Sequence, residues 1–163
     1  MKALVLSDTH VKREEDLEQL KDKIEPLLSD VEVIIHAGDS VSMYLVDYLR
    51  SRKLSYIARG NMDSADVASI LPDKQIVEFA GHRIGLTHGY GTSCGLLERV
   101  YTLFSRDDVD AIVFGHSHRP YISKHDGVLL VNPGSPTHTR LADRNTVVII
   151  TAHGELTAEL IDV

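Results

Sequence analysis

Ala3-Leu4-Val5-Leu6-Ser7-Asp8-Thr9-His10 is the stretch that decides the fold: an apolar run leads directly into a carboxylate and an imidazole. Four other runs end in the same way. Val33-Ile34-Ile35 passes through His36-Ala37-Gly38 to Asp39, and Tyr56-Ile57-Ala58 leads to Gly60-Asn61. Ile84-Gly85-Leu86-Thr87 precedes His88-Gly89, and Ala111-Ile112-Val113-Phe114 precedes Gly115-His116-Ser117-His118. Seven oxygen and nitrogen donors thus follow short strand-like segments. Open α/β sheets bind ligands beyond the carboxyl ends of their strands, where donors distant in sequence can converge. The pattern points to a metal centre.

Outward from these runs, strands are predicted at Lys2–Ser7, Val31–His36, Ser55–Arg59, Gln75–Ala80, His82–Thr87 and Ala111–Gly115. Others are expected at Tyr121–Lys124, Val128–Asn132, Thr146–Thr151 and Glu155–Ile161. The first three and Ala111–Gly115 are near-continuous in Val, Ile and Leu, as suits strands covered on both faces. Asp16–Leu28 carries Leu17, Leu20, Ile24 and Leu27/Leu28 at helical spacing. Met43–Arg50, Cys94–Phe104 and a short Asp63–Ile70 are further helices. Ala80-Gly81, Asp126-Gly127 and His153-Gly154 read as hairpin turns. Strand and helix alternate early, and short antiparallel strands dominate late. The expected fold is α/β: one domain over residues 1–163, with two mixed sheets packed together and helices outside, a four-layer α/β/β/α sandwich.

Composition narrows the function classes. The chain has 163 residues, 43% hydrophobic and 25% charged, which suits one globular domain with a substantial core. No apolar run approaches the roughly 20 residues that span a bilayer, so no membrane partner is expected. The N-terminus starts a strand at once and does not resemble a signal peptide. The lone Cys94 excludes an internal disulfide, and a cytoplasmic location is expected. A formal net charge of -7, without a Lys/Arg tract, disfavours long nucleic acid. A bound pair of divalent cations would reverse the local potential, so a small phosphate ester remains compatible. A homo-oligomer is also compatible, although no residue argues for one.

Taken singly, the motifs have plain structural readings. Asp8 or Thr9 could cap a helix. Gly38-Asp39 and Gly60-Asn61 could be turns, and one histidine after a strand is commonly satisfied internally. His116 and His118, two imidazoles one residue apart beside a glycine, fit that explanation less well. Imidazole is the commonest metal ligand among side chains. Carboxylate, amide and imidazole donors without thiolate favour manganese, iron, nickel or zinc. His36 reads as a core residue near the site, while His82, His125 and His153 read as solvated. His138 is a candidate substrate contact. Arg106, Arg119 and Arg140 could reach a phosphate but read more simply as surface charges.

The ordered set Asp8, His10, Asp39, Asn61, His88, His116, His118 resembles the calcineurin-like metallophosphoesterase superfamily. Its blocks read Asp-x-His, Gly-Asp, Gly-Asn, a strand-end His and Gly-His-x-His, and all five occur here in order. Among its members the chain is most similar to small bacterial and archaeal phosphodiesterases of the YfcE/MJ0936 type, whose later loop resembles Asn132-Pro133-Gly134-Ser135. The resemblance implies two divalent ions, manganese first, with iron, nickel or zinc as alternatives. Asp8, His10, Asp39 and His118 would hold one ion; Asp39, Asn61, His88 and His116 would hold the other. Asp39 would bridge, one oxygen toward each ion. Asp39, Asn61 and His88 would also carry catalysis. The implied reaction is hydrolysis of a small phosphodiester by a hydroxide shared between ions about 3.5–4 Å apart.

One departure is informative. Many superfamily members carry a histidine after Gly-Asn, credited with protonating the leaving group, and Met62 occupies that position here. Two alternatives accompany the diesterase reading. One is a phosphomonoesterase; the other is a non-catalytic scaffold like the retromer subunit Vps29. Vps29-like chains have lost some motif histidines, whereas every donor is present here, which favours an enzyme.

Overall fold

The computed structural model describes residues 1–138 and 142–163. In chain order it contains β1 (Lys2–Leu6), α1 (Glu14–Leu28), β2 (Val33–His36), α2 (Met43–Arg52), β3 (Leu54–Ile57), α3 (Ala65–Ile70) and β4 (Lys74–Phe79). There follow β5 (His82–Thr87), α4 (Leu96–Leu103), β6 (Ala111–Val113), β7 (Tyr121–His125), β8 (Val128–Asn132), β9 (Thr146–His153) and β10 (Glu155–Asp162). The expected elements are all present, with ends shifted by a few residues. Two five-stranded sheets form, in the orders β10-β9-β1-β2-β3 and β4-β5-β6-β8-β7. Both are mixed: β1-β2-β3 and β5-β6-β8 run parallel, and the remaining neighbours are antiparallel.

Period-two alternation builds the layers. Ala3 and Val5 of β1 point into the core between the sheets, where they join Val77, Leu86, Val113 and Val131. Leu4 and Leu6 face the other way, against Leu17, Leu20 and Ile24 of α1 and Leu45 and Leu49 of α2. On the second sheet Ile112 and Phe114 meet Leu96, Val100 and Phe104 around α4. The result is the four-layer α/β/β/α sandwich. Turns at Ala80-Gly81 and Asp126-Gly127 have positive φ at both residues, as tight hairpins between twisted strands require.

β3 is the outer strand of its sheet. Both its faces are covered, Ile57 against the helices and Tyr56 and Ala58 in the core between the sheets, while Leu54, one residue before the expected start, is 60% exposed. Among the described residues, no helix is long and apolar enough to cross a membrane.

Candidate metal centre

The parallel strands bring the donors together. β1, β2 and β3 lie side by side, as do β5 and β6 in the other sheet, so their carboxyl ends open onto one crevice. Pairing continues past the strands: Asp8 N–H donates to Gly38 O and His10 N–H to Asp39 O, both at 3.0 Å. Gly115 N–H donates to His88 O at 3.0 Å. The helix-cap reading of Asp8 and Thr9 fails, because α1 begins at Glu14, where Asp16 Oδ2 accepts the Arg13 N–H at 3.0 Å.

The backbone at these positions is unusual. Asp8, His10, Asp39, His116 and His118 have φ of 54, 48, 58, 72 and 58°. A side chain in this left-handed region costs about 1–3 kcal/mol and persists where its surroundings enforce it. Here it turns carboxylates and imidazoles from a strand's alternating faces toward a common point. Two glycines make room. A Cβ on Gly60 would collide with the backbone and Oδ1 of Asp39, and one on Gly115 would collide with Ser7 Oγ and Asp8 Oδ2.

All seven expected donors reach the crevice. Asp8, Asp39 and His88 are buried at its floor, His10, His116 and His118 are half-buried, and Asn61 stands at its mouth. His10 Nε2 lies 3.1 Å from His118 Nε2, and His118 Nε2 lies 3.4 Å from Asp8 Oδ1. His88 Nε2 is 3.3 Å from Asp39 Oδ2 and 3.1 Å from Asn61 Oδ1, which is 3.0 Å from His116 Nδ1. Metal–ligand bonds of about 2.0–2.2 Å imply edges of roughly 3.0–3.5 Å between ligands on one ion. The donor atoms match that spacing, and the donor chemistry fits divalent cations. Asp8, His10 and His118 form one compact group, and Asp8, Asp39 and His88 form another.

The two Asp39 oxygens have different surroundings. Oδ1 accepts the Met62 N–H at 2.7 Å. Oδ2 faces both imidazole sets, 3.3 Å from His88 Nε2 and 3.7 Å from His10 Nε2.

Hydrogen bonds also set the imidazole tautomers. His88 Nδ1–H donates to Ala37 O at 2.7 Å, which leaves Nε2 as the lone-pair nitrogen. His116 Nε2–H donates to Gly91 O at 2.6 Å, which frees Nδ1. Burial raises the Asp8 carboxyl to about 7, against the opposing pull of His88. Burial lowers His10 to about 4, and it lowers His118 as well. For His88, burial is outweighed by the Asp39 hydrogen bond and nearby carboxylate charges, and its pKa rises. In the metal-free protein near neutrality, the Asp8 carboxyl is therefore about half protonated and a cation must displace that proton, while His10 and His118, whose pKa values are pushed down, are already neutral. Apparent manganese affinity should fall about fivefold as pH drops from about 7 to 6, with proton release on binding. Calorimetric titration in two buffers of different ionisation enthalpy measures both. Affinity independent of pH across that range would contradict this charge assignment.

Residues outside the donor set hold it in place. Asp63 accepts N–H bonds from Val41 at 2.6 Å and Gly60 at 2.7 Å, tying the Asp39 loop to the Asn61 loop. Asn132 Nδ2 donates to Gly115 O at 2.9 Å, and Ser135 Oγ donates to Asp8 O at 2.8 Å. The Asn-Pro-Gly-Ser run was the only sequence signal for that brace, and nothing in the sequence marked Asp63 as a tether.

These features coincide with a known family. The model of the calcineurin-like phosphoesterase superfamily domain matches residues 1–155. The chain belongs to this superfamily. A probable metallophosphoesterase of Methanothermobacter thermautotrophicus is 31% identical over 157 residues, 96% of this chain and 90% of that protein. A solved archaeal phosphodiesterase superposes with a TM-score of 0.77 at 25% identity, covering 100% of both chains. Chaetomium thermophilum Vps29 shares the fold, with a TM-score of 0.79 at 24% identity over 100% of this chain and 93% of that one. Membership makes the chain a metal-dependent phosphoric ester hydrolase by family.

Other sequence candidates divide clearly. His36 is buried, with Nε2 3.0 Å from Thr9 Oγ1 and Nδ1 accepting the Gly38 N–H at 3.2 Å. Burial lowers its pKa to about 3, so it is a neutral structural support. His138 sits edge-on to His10, with ring centroids 5.0 Å apart, in the same crevice as His116 and His118. His125 and His153 are exposed as expected, whereas His82 is half-buried with Nδ1 3.5 Å from Asp110. Arg106 and Arg119 are exposed, and Arg140 lies outside the described residues.

Proposed function

We propose that this centre holds two divalent cations, manganese foremost, and hydrolyses a small phosphodiester in the cytoplasm. The observation that carries the reading is Asp39 Oδ2, which lies within 4 Å of imidazoles from both donor sets. Asp8, His10, Asp39 and His118 would hold one cation; Asp39, Asn61, His88 and His116 would hold the other, with Asp39 Oδ2 common to both. Such a pair supplies charge neutralisation at the phosphate and acidifies water into a nucleophile near neutral pH.

The chain's own side chains do the remaining work. Asn61 turns its amide oxygen toward His88 and His116, at 3.1 and 3.0 Å, which leaves its amino group to donate to a phosphate oxygen. Asp39 and His88, fixed by Met62 N–H and Ala37 O, keep the buried floor rigid while charge moves at phosphorus. Lys12 and His138 line the open side of the same crevice and are suited to meet phosphate oxygens. That crevice has a volume of about 330 Å³, which favours a small ester, and the net charge of -7 disfavours long nucleic acid.

The test compares bis(p-nitrophenyl) phosphate with p-nitrophenyl phosphate, using EDTA-treated protein and protein resupplied with manganese. Diester hydrolysis that chelation abolishes and manganese restores is the expected result. Preference for the monoester would instead make the protein a phosphomonoesterase. No turnover with any divalent ion would leave the scaffold reading.

A further inference from the structure

A second cavity adjoins the donor cluster. It has a volume of about 380 Å³, and Asn61 and His88 form the wall it shares with the centre. Arg59, Lys74, Tyr90 and Leu103 contribute the rest of its surroundings. The size falls at the small end of the roughly 300–1,000 Å³ typical of small-molecule sites, room for one substituent rather than a polymer.

Its charges are already spent internally. Arg59 pairs with Asp73 at 2.6 Å. Lys74 Nζ contacts Asp107 at 2.5 Å and Leu103 O at 2.8 Å, and it stands 4.7 Å above the centre of the Phe104 ring. Both cations already face a carboxylate, Arg59 that of Asp73 and Lys74 that of Asp107, so a charged arm would have to compete with those partners.

Tyr90 supplies the aromatic surface. It remains 63% exposed although its loop is firmly tied. Arg99 donates to Tyr90 O at 3.0 Å and Cys94 O at 2.7 Å, and also to Thr92 O. Its guanidinium lies 5.8 Å from the Tyr90 ring centre, within cation–π range. The same loop accepts His116 Nε2–H at Gly91 O, so the aromatic wall and a metal-site imidazole are mechanically linked. An aromatic ring held in place yet left open beside a phosphoesterase centre is a stacking surface for a ligand.

We propose that this cavity receives one uncharged aromatic arm of the phosphodiester, an aryl or nucleobase-bearing group, against the Tyr90 ring. The assignment rests on the diesterase reading and narrows it to a substrate class. With the manganese-loaded full chain hydrolysing bis(p-nitrophenyl) phosphate, diphenyl phosphate should inhibit about tenfold more tightly than dimethyl phosphate. Tyr90→Ala should erase that difference, and Tyr90→Phe, which keeps the ring, should retain it. Equal inhibition by the two diesters, or an unchanged ratio in Tyr90→Ala, overturns the assignment while the diesterase reading stands. Absence of turnover overturns both.

Discussion

Replacing Asp39 with asparagine should lower occupancy at both cation positions together and reduce diester hydrolysis by about a thousandfold. The side chain is 2% exposed, and its Oδ1 is bonded to Met62 N–H, so an amide of the same shape preserves that anchor. What changes is Oδ2, which faces both His88 and His10. An amino group there removes a negative charge and points protons at the space where cations would sit. Asp8→Asn supplies the contrast. Asp8 Oδ2 is already engaged by Ser7 Oγ at 2.8 Å and His116 N–H at 3.0 Å, and Oδ1 is 3.4 Å from His118 Nε2 but 3.9 Å from His88 Nε2. That variant should empty the position beside His10 and His118 and weaken the other far less. Metal analysis after dialysis, read alongside turnover, separates the two patterns. If Asp39→Asn loses only one equivalent, the shared-oxygen assignment is wrong.

The contrast also marks where sequence reading reaches and where it stops. The unbroken apolar runs Ala3–Leu6 and Ala111–Phe114 declare two buried faces per strand, and that is enough to demand helices outside and a sheet-to-sheet core inside. Donors at the ends of five strands are legible because topology, rather than side-chain detail, gathers them. The division of labour between the two Asp39 oxygens is not legible, because it depends on where the Met62 N–H points after the chain turns at Gly60. Likewise Asp63 looks like an ordinary loop acid until Val41 and Gly60 are seen bonding to it. In β3, Leu54 and Ile57 have strand chemistry, and only sheet order reveals that the strand is an edge. Local composition predicts elements; neighbours decide exposure and hydrogen-bond partners.

Met62 leads to the second large expected effect. Its side chain is 52% exposed and lines the crevice with His10, Asp39, His116 and His118. A thioether has no proton to give a departing alkoxide. Positioned general-acid help is worth about 10²–10⁴ in rate, so the native chain should hydrolyse alkyl diesters far more slowly than p-nitrophenyl diesters. Met62→His should raise turnover of a p-nitrophenyl-free alkyl diester by about 100-fold. Bis(p-nitrophenyl) phosphate should change little, because p-nitrophenolate departs without protonation. An exposed substitution of this kind changes stability by roughly 0.5 kcal/mol or less, so the comparison reports chemistry rather than folding. The decisive quantity is the ratio of alkyl to aryl turnover in the two proteins. If the native ratio is already near unity, another group supplies the proton. If the variant accelerates both esters equally, the imidazole acts on phosphate binding instead of on the leaving oxygen.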